Sequence, residues 1–348
     1  MDSLELFAGA GGLAVGTSRA GFSALAAVER DAACVATLRA NGLPAIESDA
    51  AAMSFLGWSG VGLVSGGPPC QPFSAAGRHK GMLDPRDMFP TLARAVRETR
   101  PELVLVENVK GLLRPAFSAY LGYVLAQLAK PSVAPRDGES IESHMQRLEA
   151  RPAEYAVAHG VLNAADFGVP QSRERVFILA SARHMPYLPA PTHSLRALLR
   201  QQWVTGEYWE RHGVPRPPEP PARLRKKISD AEEPDGLMPW RTVRDAISDI
   251  MDSSPPRPAK SYKGHTGSGM DMPSKTLKAG VHGVPGGENM VRAPGGDRHY
   301  TVREAARVQG FPDSWAFPHS WTIGMRQIGN AVPPPLAEAV ASALSSPR

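Results

Sequence analysis

Cys70 stands in the run Gly66-Gly67-Pro68-Pro69-Cys70-Gln71-Pro72-Phe73-Ser74, close behind the apolar stretch Gly62-Leu63-Val64. Proline fixes φ and carries no N–H, so this thiol sits in neither a helix interior nor a central strand. Two readings are open: a stiff turn that contains a cysteine, and a nucleophile displayed at the end of a strand. Glu107-Asn108-Val109 closes another apolar run, Leu103–Val106. A carboxylic acid near a thiolate suits protonation of a ring nitrogen while sulfur adds to carbon; a helix-capping acid is the alternative. Gln171-Ser172-Arg173-Glu174-Arg175 precedes Val176–Ala180, and strand alternation puts Arg173 and Arg175 on one face if the chain is already extended there. Two guanidiniums there would hold a carbonyl oxygen and support a nearby thiolate, or form a solvated edge of mixed charge.

A second constellation suits a ligand. Leu4–Phe7 reads as a short strand that runs into Ala8-Gly9-Ala10-Gly11-Gly12 and then into a helix. Glycines at a strand-to-helix turn let a ligand approach the helix N-terminus, and an acid at the end of the next strand commonly binds ribose hydroxyls. Glu29 occupies that position and Asp49 follows the third strand. The pattern fits an adenosine-containing ligand, without separating a nicotinamide cofactor from S-adenosylmethionine, and a tight structural turn is the bland alternative. His79, Lys80, Arg86 and Asp87, set among Gly77, Gly81 and Pro85, have the composition of a lid or of a solvated loop. Cys34, within a helical stretch, reads as a small buried residue.

These residues need a scaffold. Apolar strands at Leu4–Phe7, Ala24–Val28, Ala45-Ile46, Val61–Val64, Leu103–Val106, Tyr155–Leu162 and Val176–Ala180 alternate with helical segments, which predicts an α/β fold with a mostly parallel sheet. Residues 130–154 form a polar insertion with a short helix near Ser140–Glu149. Residues 186–299 are rich in proline and glycine and carry the basic Arg223-Leu224-Arg225-Lys226-Lys227. Trp203, Tyr208, Trp209, Trp240 and Ile247 give that region core material, so a separate small domain is expected rather than disorder. Thr301-Val302-Arg303-Glu304 is a capping-box pattern that opens a helix.

Composition narrows the class. No apolar run is long enough for a transmembrane helix, and no signal peptide precedes the first strand. Two cysteines make no disulfide framework and no zinc cluster, which favours a reducing cytoplasm and no metal. A formal charge of +5 is compatible with a polyanionic partner and weak as evidence for one.

In this order and spacing the motifs resemble the DNA cytosine-5 methyltransferase family, bacterial and restriction–modification-like, nearly end to end. The resemblance rests on Leu6-Phe7-Ala8-Gly9-Ala10-Gly11-Gly12, Glu29, Asp49, Pro68–Ser74, Glu107-Asn108-Val109 and Gln171–Arg175, then on Thr301–Arg307, Gln309–Asp313 and Gly329-Asn330-Ala331-Val332-Pro333. It implies a Rossmann-like sheet with helices on both faces and a smaller target-recognition domain. The expected division is 1–185 for the catalytic and cofactor domain, 186–300 for recognition, and 301–348 as a segment returning to the large domain. By the same resemblance Phe7, Ala8, Gly9, Gly11, Gly12, Leu13, Glu29, Asp49, Pro69, Asn330 and Val332 bind S-adenosyl-L-methionine, which leaves as S-adenosyl-L-homocysteine. Cys70 would be the nucleophile toward carbon 6 of a flipped cytosine, Glu107 the acid at nitrogen 3, and Arg173 and Arg175 the partners of the O2 side. Pro68, Gln71 and Ser74 would contact the base, the loop Ala75–Met88 would close behind it, and Lys263, His265, Lys275, Thr276, Lys278 and Gly280 would contact DNA. The implied partner is double-stranded DNA, with a cognate restriction endonuclease acting separately and the enzyme itself a monomer. The alternatives are an RNA cytosine-5 methyltransferase and a catalytically silent DNA-binding paralogue. Arg30 departs from the family, some of whose members place an apolar side chain there against adenine.

Overall fold

Along β1 (Asp2–Leu6), β2 (Ser23–Glu29), β3 (Ala45–Glu47), β4 (Leu63–Gly66), β5 (Leu103–Val109), β6 (Ala156–Asn163) and β7 (Glu174–Ser181), successive side chains turn to opposite faces of one sheet. Leu4, Leu6, Val64, Val104, Val106 and Ile178 enter one core, while Leu63, Leu103, Leu105, Phe177 and Leu179 are buried too. Burial on both faces explains why these strands read as unbroken apolar runs. The computed structural model describes residues 1–69, 87–251, 267–279, 289–293 and 296–347. Cys70, Gln71, Ser74, Lys263, His265 and Gly280 lie outside those residues, as does the 75–88 loop except for Asp87 and Met88.

The seven strands run in the order β3-β2-β1-β4-β5-β7-β6. β1 is parallel to β2 and β4, β2 to β3 and β4 to β5, while β7 is antiparallel to β5. The order reverses between β1 and β4, and in such sheets ligands bind beyond the strands' carboxyl ends at that switch. Leu6 pairs with Gly66 there. A Cβ on Gly66 would lie 2.7 Å from the Leu6 carbonyl oxygen, so the close approach requires glycine. The mixed α/β architecture expected from the sequence is the one observed.

Around the sheet run α1 (Gly12–Arg19), α2 (Ala32–Ala40), α3 (Phe89–Thr99), α4 (Ser118–Ala129) and α5 (Ile141–Glu149). α5 is the helix of the 130–154 insertion, and the Ser140 hydroxyl caps it by accepting from the Ser143 N–H. His144 anchors it, with Nδ1 2.7 Å from the Tyr123 hydroxyl on α4 and Nε2 2.9 Å from the Val133 carbonyl.

The chain divides into two compact units. One holds Met1–Leu162, Glu174–Pro189 and Ser314–Arg348; the other holds Asn163–Arg173 and Ala190–Asp313. In the first unit the last segment packs on α1 and α2. Asn41 donates to the Ala316 carbonyl (2.9 Å) and accepts from its N–H (2.8 Å), and Arg326 pairs with Asp31 at 3.0 Å. Gly16 lies so close to Ala337 that an added Cβ would sit 2.3 Å from that methyl.

The second unit has its own core, in which Trp203, Trp240 and Met272 pack around Leu198, Tyr208 and Trp209. Helix Val302–Gln309 and the segment Asn163–Arg173 are grouped with it. Arg298 and Glu304 form a buried two-pronged ion pair at 2.7 and 2.6 Å, and Glu304 also accepts from the Thr301 N–H in the observed capping box. These bonds tie the start of that helix to the strand Gly296–His299 before it.

Candidate active site

Beyond β1 the chain turns sharply: Phe7, Gly9 and Gly11 have φ of +56°, +54° and +86°. Phe7 is a non-glycine residue in the left-handed region, and such strain is held by surrounding structure at ligand sites. Glu29, at the end of β2, supplies part of that structure. Its Oε2 accepts from the Gly9 N–H (2.9 Å), and its Oε1 accepts from the Arg30 and Asp31 N–H groups (both 2.8 Å). One carboxylate thereby fixes the glycine loop to the next loop, and Oε2 keeps acceptor capacity for a ligand hydroxyl.

Phe7, Val28, Glu29, Arg30, Ser48, Asp49, Ala50, Pro69 and Met88 line an open pocket. Ala8 and Leu13 are buried beneath the loop, while Asp49 caps the following turn by accepting from the Ala51 N–H at 2.9 Å. Val332 comes from the far end of the chain; a Cβ on Gly12 would lie 2.2 Å from its carbonyl oxygen. Asn330 ends the helix Trp321–Asn330 with its side chain exposed. The two carboxylates accept from hydroxyl and amino groups, and the apolar walls suit a flat ring. These residues fit an adenosine moiety. Trp315, which sequence reading missed, packs its ring against Gly11 and would be 2.7 Å from a Cβ there. Nothing local in the sequence marks that contact.

The second cluster follows β4 and β5. Glu107 is buried, and its Oε1 meets Arg175 Nε at 2.9 Å. This pair spans adjacent antiparallel strands, in which Glu107 is in register with Phe177 and Val109 with Arg175. A Cβ on Gly67 would be 3.2 Å from Glu107 Oε2, so the carboxylate lies against the backbone that leads into Cys70. Asn108 Nδ2 donates to the Pro68 carbonyl at 3.1 Å, leaving that oxygen a second lone pair. Asn108 was legible only as a member of its motif; its role as a brace on the Pro68 turn is new.

Arg173 does not share the setting of Arg175. β7 begins at Glu174, and the Arg173 N–H is taken by Asn163 Oδ1 at 3.0 Å. Its buried guanidinium donates to the Leu277 carbonyl at 3.1 Å, within the second unit. Lys275 is exposed in that unit, with Thr276 and Lys278 half-buried. Burial, reinforced by Glu29 and Asp31, pushes the Cys34 thiol up to about 12, so it is no nucleophile at neutral pH.

Residues 1–346 of the chain match the C-5 cytosine-specific DNA methylase family. The chain belongs to that family. The methylase is 32% identical to the type II methyltransferase M.NgoMIV of Neisseria gonorrhoeae, with 97% of this chain and 95% of that one covered. It is 34% identical to M.AquIA of Picosynechococcus over 73% of this chain and 90% of the relative. Among solved structures it resembles the S. pombe Dnmt2 methyltransferase, with a TM-score of 0.63 at 19% identity over 99% of this chain and 98% of that one. The methylase is thus a DNA cytosine-5 methyltransferase on a Rossmann-like methyltransferase fold. Among its described residues no group of three or more His, Cys, Asp or Glu is placed to hold a metal, and no helix is long and apolar enough to cross a membrane.

Proposed function

We propose that the methylase transfers a methyl group from S-adenosyl-L-methionine to carbon 5 of a cytosine flipped out of duplex DNA, through a covalent bond between Cys70 and carbon 6. The observation that carries this reading is the buried Glu107–Arg175 pair, set against Gly67 at the entrance to the Cys70 segment. S-adenosylmethionine supplies an electrophilic methyl group on a sulfonium centre. Glu29 and Asp49 would hold its ribose hydroxyl and amino groups, and Phe7, Pro69 and Met88 its apolar faces.

Carbon 5 of cytosine is too weak a nucleophile to take a methyl group unaided. Protonated Glu107 donates to nitrogen 3 and makes carbon 6 electrophilic. The Cys70 thiolate then forms a sulfur–carbon 6 bond, and the ring's electron pair moves to carbon 5, which would accept the methyl group as its bond to the sulfonium sulfur breaks and S-adenosyl-L-homocysteine leaves. Transfer of the carbon 5 proton to a base, departure of the Cys70 thiolate and return of the nitrogen 3 proton to Glu107 restore the aromatic ring. Arg175 orients Glu107 and would donate to the O2 side, while the free lone pair of the Pro68 carbonyl would accept from the exocyclic amine. Unstacking the target base costs a few kcal/mol, which contacts elsewhere on the DNA must offset. The type II methyltransferase relatives support a place in a restriction–modification pair, the endonuclease acting separately on the same DNA.

Incubation with duplex DNA and methyl-labelled S-adenosylmethionine should place label at carbon 5 of cytosine within one sequence context. Duplex DNA carrying 5-fluorocytosine should trap a covalent adduct with the wild type and none with Cys70→Ser. Label on adenine, or no adduct with the wild type, would sink the mechanism.

A further inference from the structure

Gln171 is fully buried and uses both ends of its carboxamide. Its Oε1 accepts from the Leu277 N–H at 2.9 Å, and its Nε2 donates to Gln309 Oε1 at 2.6 Å. On either side the backbone of the same segment pairs with the same stretch. Ser274 N–H donates to the Pro170 carbonyl and Ser172 N–H to the Ser274 carbonyl, both at 2.9 Å, and the Thr276 hydroxyl donates to the Ser172 carbonyl at 2.8 Å. Arg173 completes the set through the Leu277 carbonyl.

The stretch from Ser274 to Lys278 is held from its other side as well. Tyr300 donates its hydroxyl to Ser274 Oγ at 3.2 Å, and Lys275 N–H donates to Ser268 Oγ at 3.0 Å. The Asn289 amide brackets Lys278, accepting from its N–H (2.8 Å) and donating to its carbonyl (2.9 Å). The backbone N–H groups of Ser274, Lys275, Leu277 and Lys278 all have named acceptors, yet the Lys275 side chain is exposed. A short irregular segment fixed this completely is built to present side chains at set positions, as recognition surfaces require. A buried amide network of this kind specifies one arrangement, because any other leaves desolvated polar groups without partners.

We propose that Gln171 and Arg173 are positioning residues for DNA sequence selectivity: they lock Ser274–Lys278 in place so that Lys275 and Thr276 meet the duplex in one register. This rests on the DNA methyltransferase reading above and gives the two residues a role in site selectivity in addition to any part in the chemistry. Loosening the lock should blur discrimination between correct and incorrect sites more than it slows reaction at the correct one.

The test uses the full-length protein, unmethylated bacteriophage lambda DNA, and bisulfite sequencing of the methylated product. Gln171→Ala, Arg173→Met and Thr276→Val each remove a different part of the lock, so a folding failure of one leaves two. We expect methylation at sites differing by one base pair to rise at least 10-fold relative to the correct site, with Thr276→Ser restoring wild-type selectivity. S-adenosylhomocysteine affinity by calorimetry should stay within 2-fold, since the pocket residues belong to the other unit. Unchanged site selectivity in folded variants would overturn the positioning role alone. A wild type that labels no DNA cytosine would overturn the underlying activity, and the selectivity role with it.

Discussion

Arg175 Nε lies 2.9 Å from Glu107 Oε1 across adjacent antiparallel strands, and both side chains are largely shielded from water. Removing the arginine takes one orienting donor from a buried carboxyl group. Arg175→Ala should lower the single-turnover rate of methyl transfer at least 10-fold, and Glu107→Gln by about 10²–10⁴, the range for loss of a positioned proton donor. Binding of S-adenosylhomocysteine should change little in either variant. An equal loss of cofactor affinity would move the pair out of the chemistry.

Gly12 faces the Val332 carbonyl with no room for a methyl group, the built Cβ lying 2.2 Å from that oxygen. Gly12→Ala should therefore destabilise the protein by about 1–3 kcal/mol, as overpacking does, and weaken S-adenosylhomocysteine binding by shifting the cofactor loop. Gly122 in α4 has open space around its Cβ position. Gly122→Ala should stabilise by about 0.5–1 kcal/mol. Chemical denaturation of the two variants separates a steric demand from a general helix effect.

Glu5 is buried in β1, and burial, reinforced by the Glu29 charge and opposed by a backbone contact with Ala14, pushes its carboxyl up to about 8 from 4.5. Between those values the native chain holds a proton that the unfolded chain has released. This contribution to stability is present in full at acid pH and is lost as pH rises through the window, at about 1.4 kcal/mol per pH unit for one proton. Glu5→Gln should lack that slope and gain on the wild type as pH increases. Urea unfolding midpoints at pH 6, 7, 8 and 9 would show it; parallel curves for the two proteins would contradict it.

Arg298 and Glu304 are buried to 6% and 1% exposure. Arg298→Met strands Glu304 in the interior and should cost about 3–5 kcal/mol, whereas the double variant with Glu304→Leu should recover much of the loss. Equilibrium unfolding of the two variants gives the comparison. A double variant no better than the single would show that the helix cap at Thr301 needs the Glu304 carboxylate for itself.

Strand ends were the legible part of this molecule. Phe7 to Gly12, Glu29, Asp49 and Glu107 each follow an apolar run, and a parallel sheet brings such ends to one edge whatever the loops do. The capping box at Thr301 was readable because its partners are three residues apart. Gln171 was not, since its amide joins Leu277 and Gln309, which lie 106 and 138 residues further along the chain. Arg173 was read with Arg175 through strand alternation, a rule that stops where the strand does, at Glu174. Trp315 against Gly11 likewise depends on a contact that no local pattern encodes.

The packing of the final segment against α1 and α2 makes the turn after β1 depend on residues far along the chain. The Trp315 ring covers Gly11 and the Val332 carbonyl backs Gly12. A chain cut ahead of Trp315 therefore leaves Gly11 and Gly12 without the groups that pack on them, whatever strands it still forms.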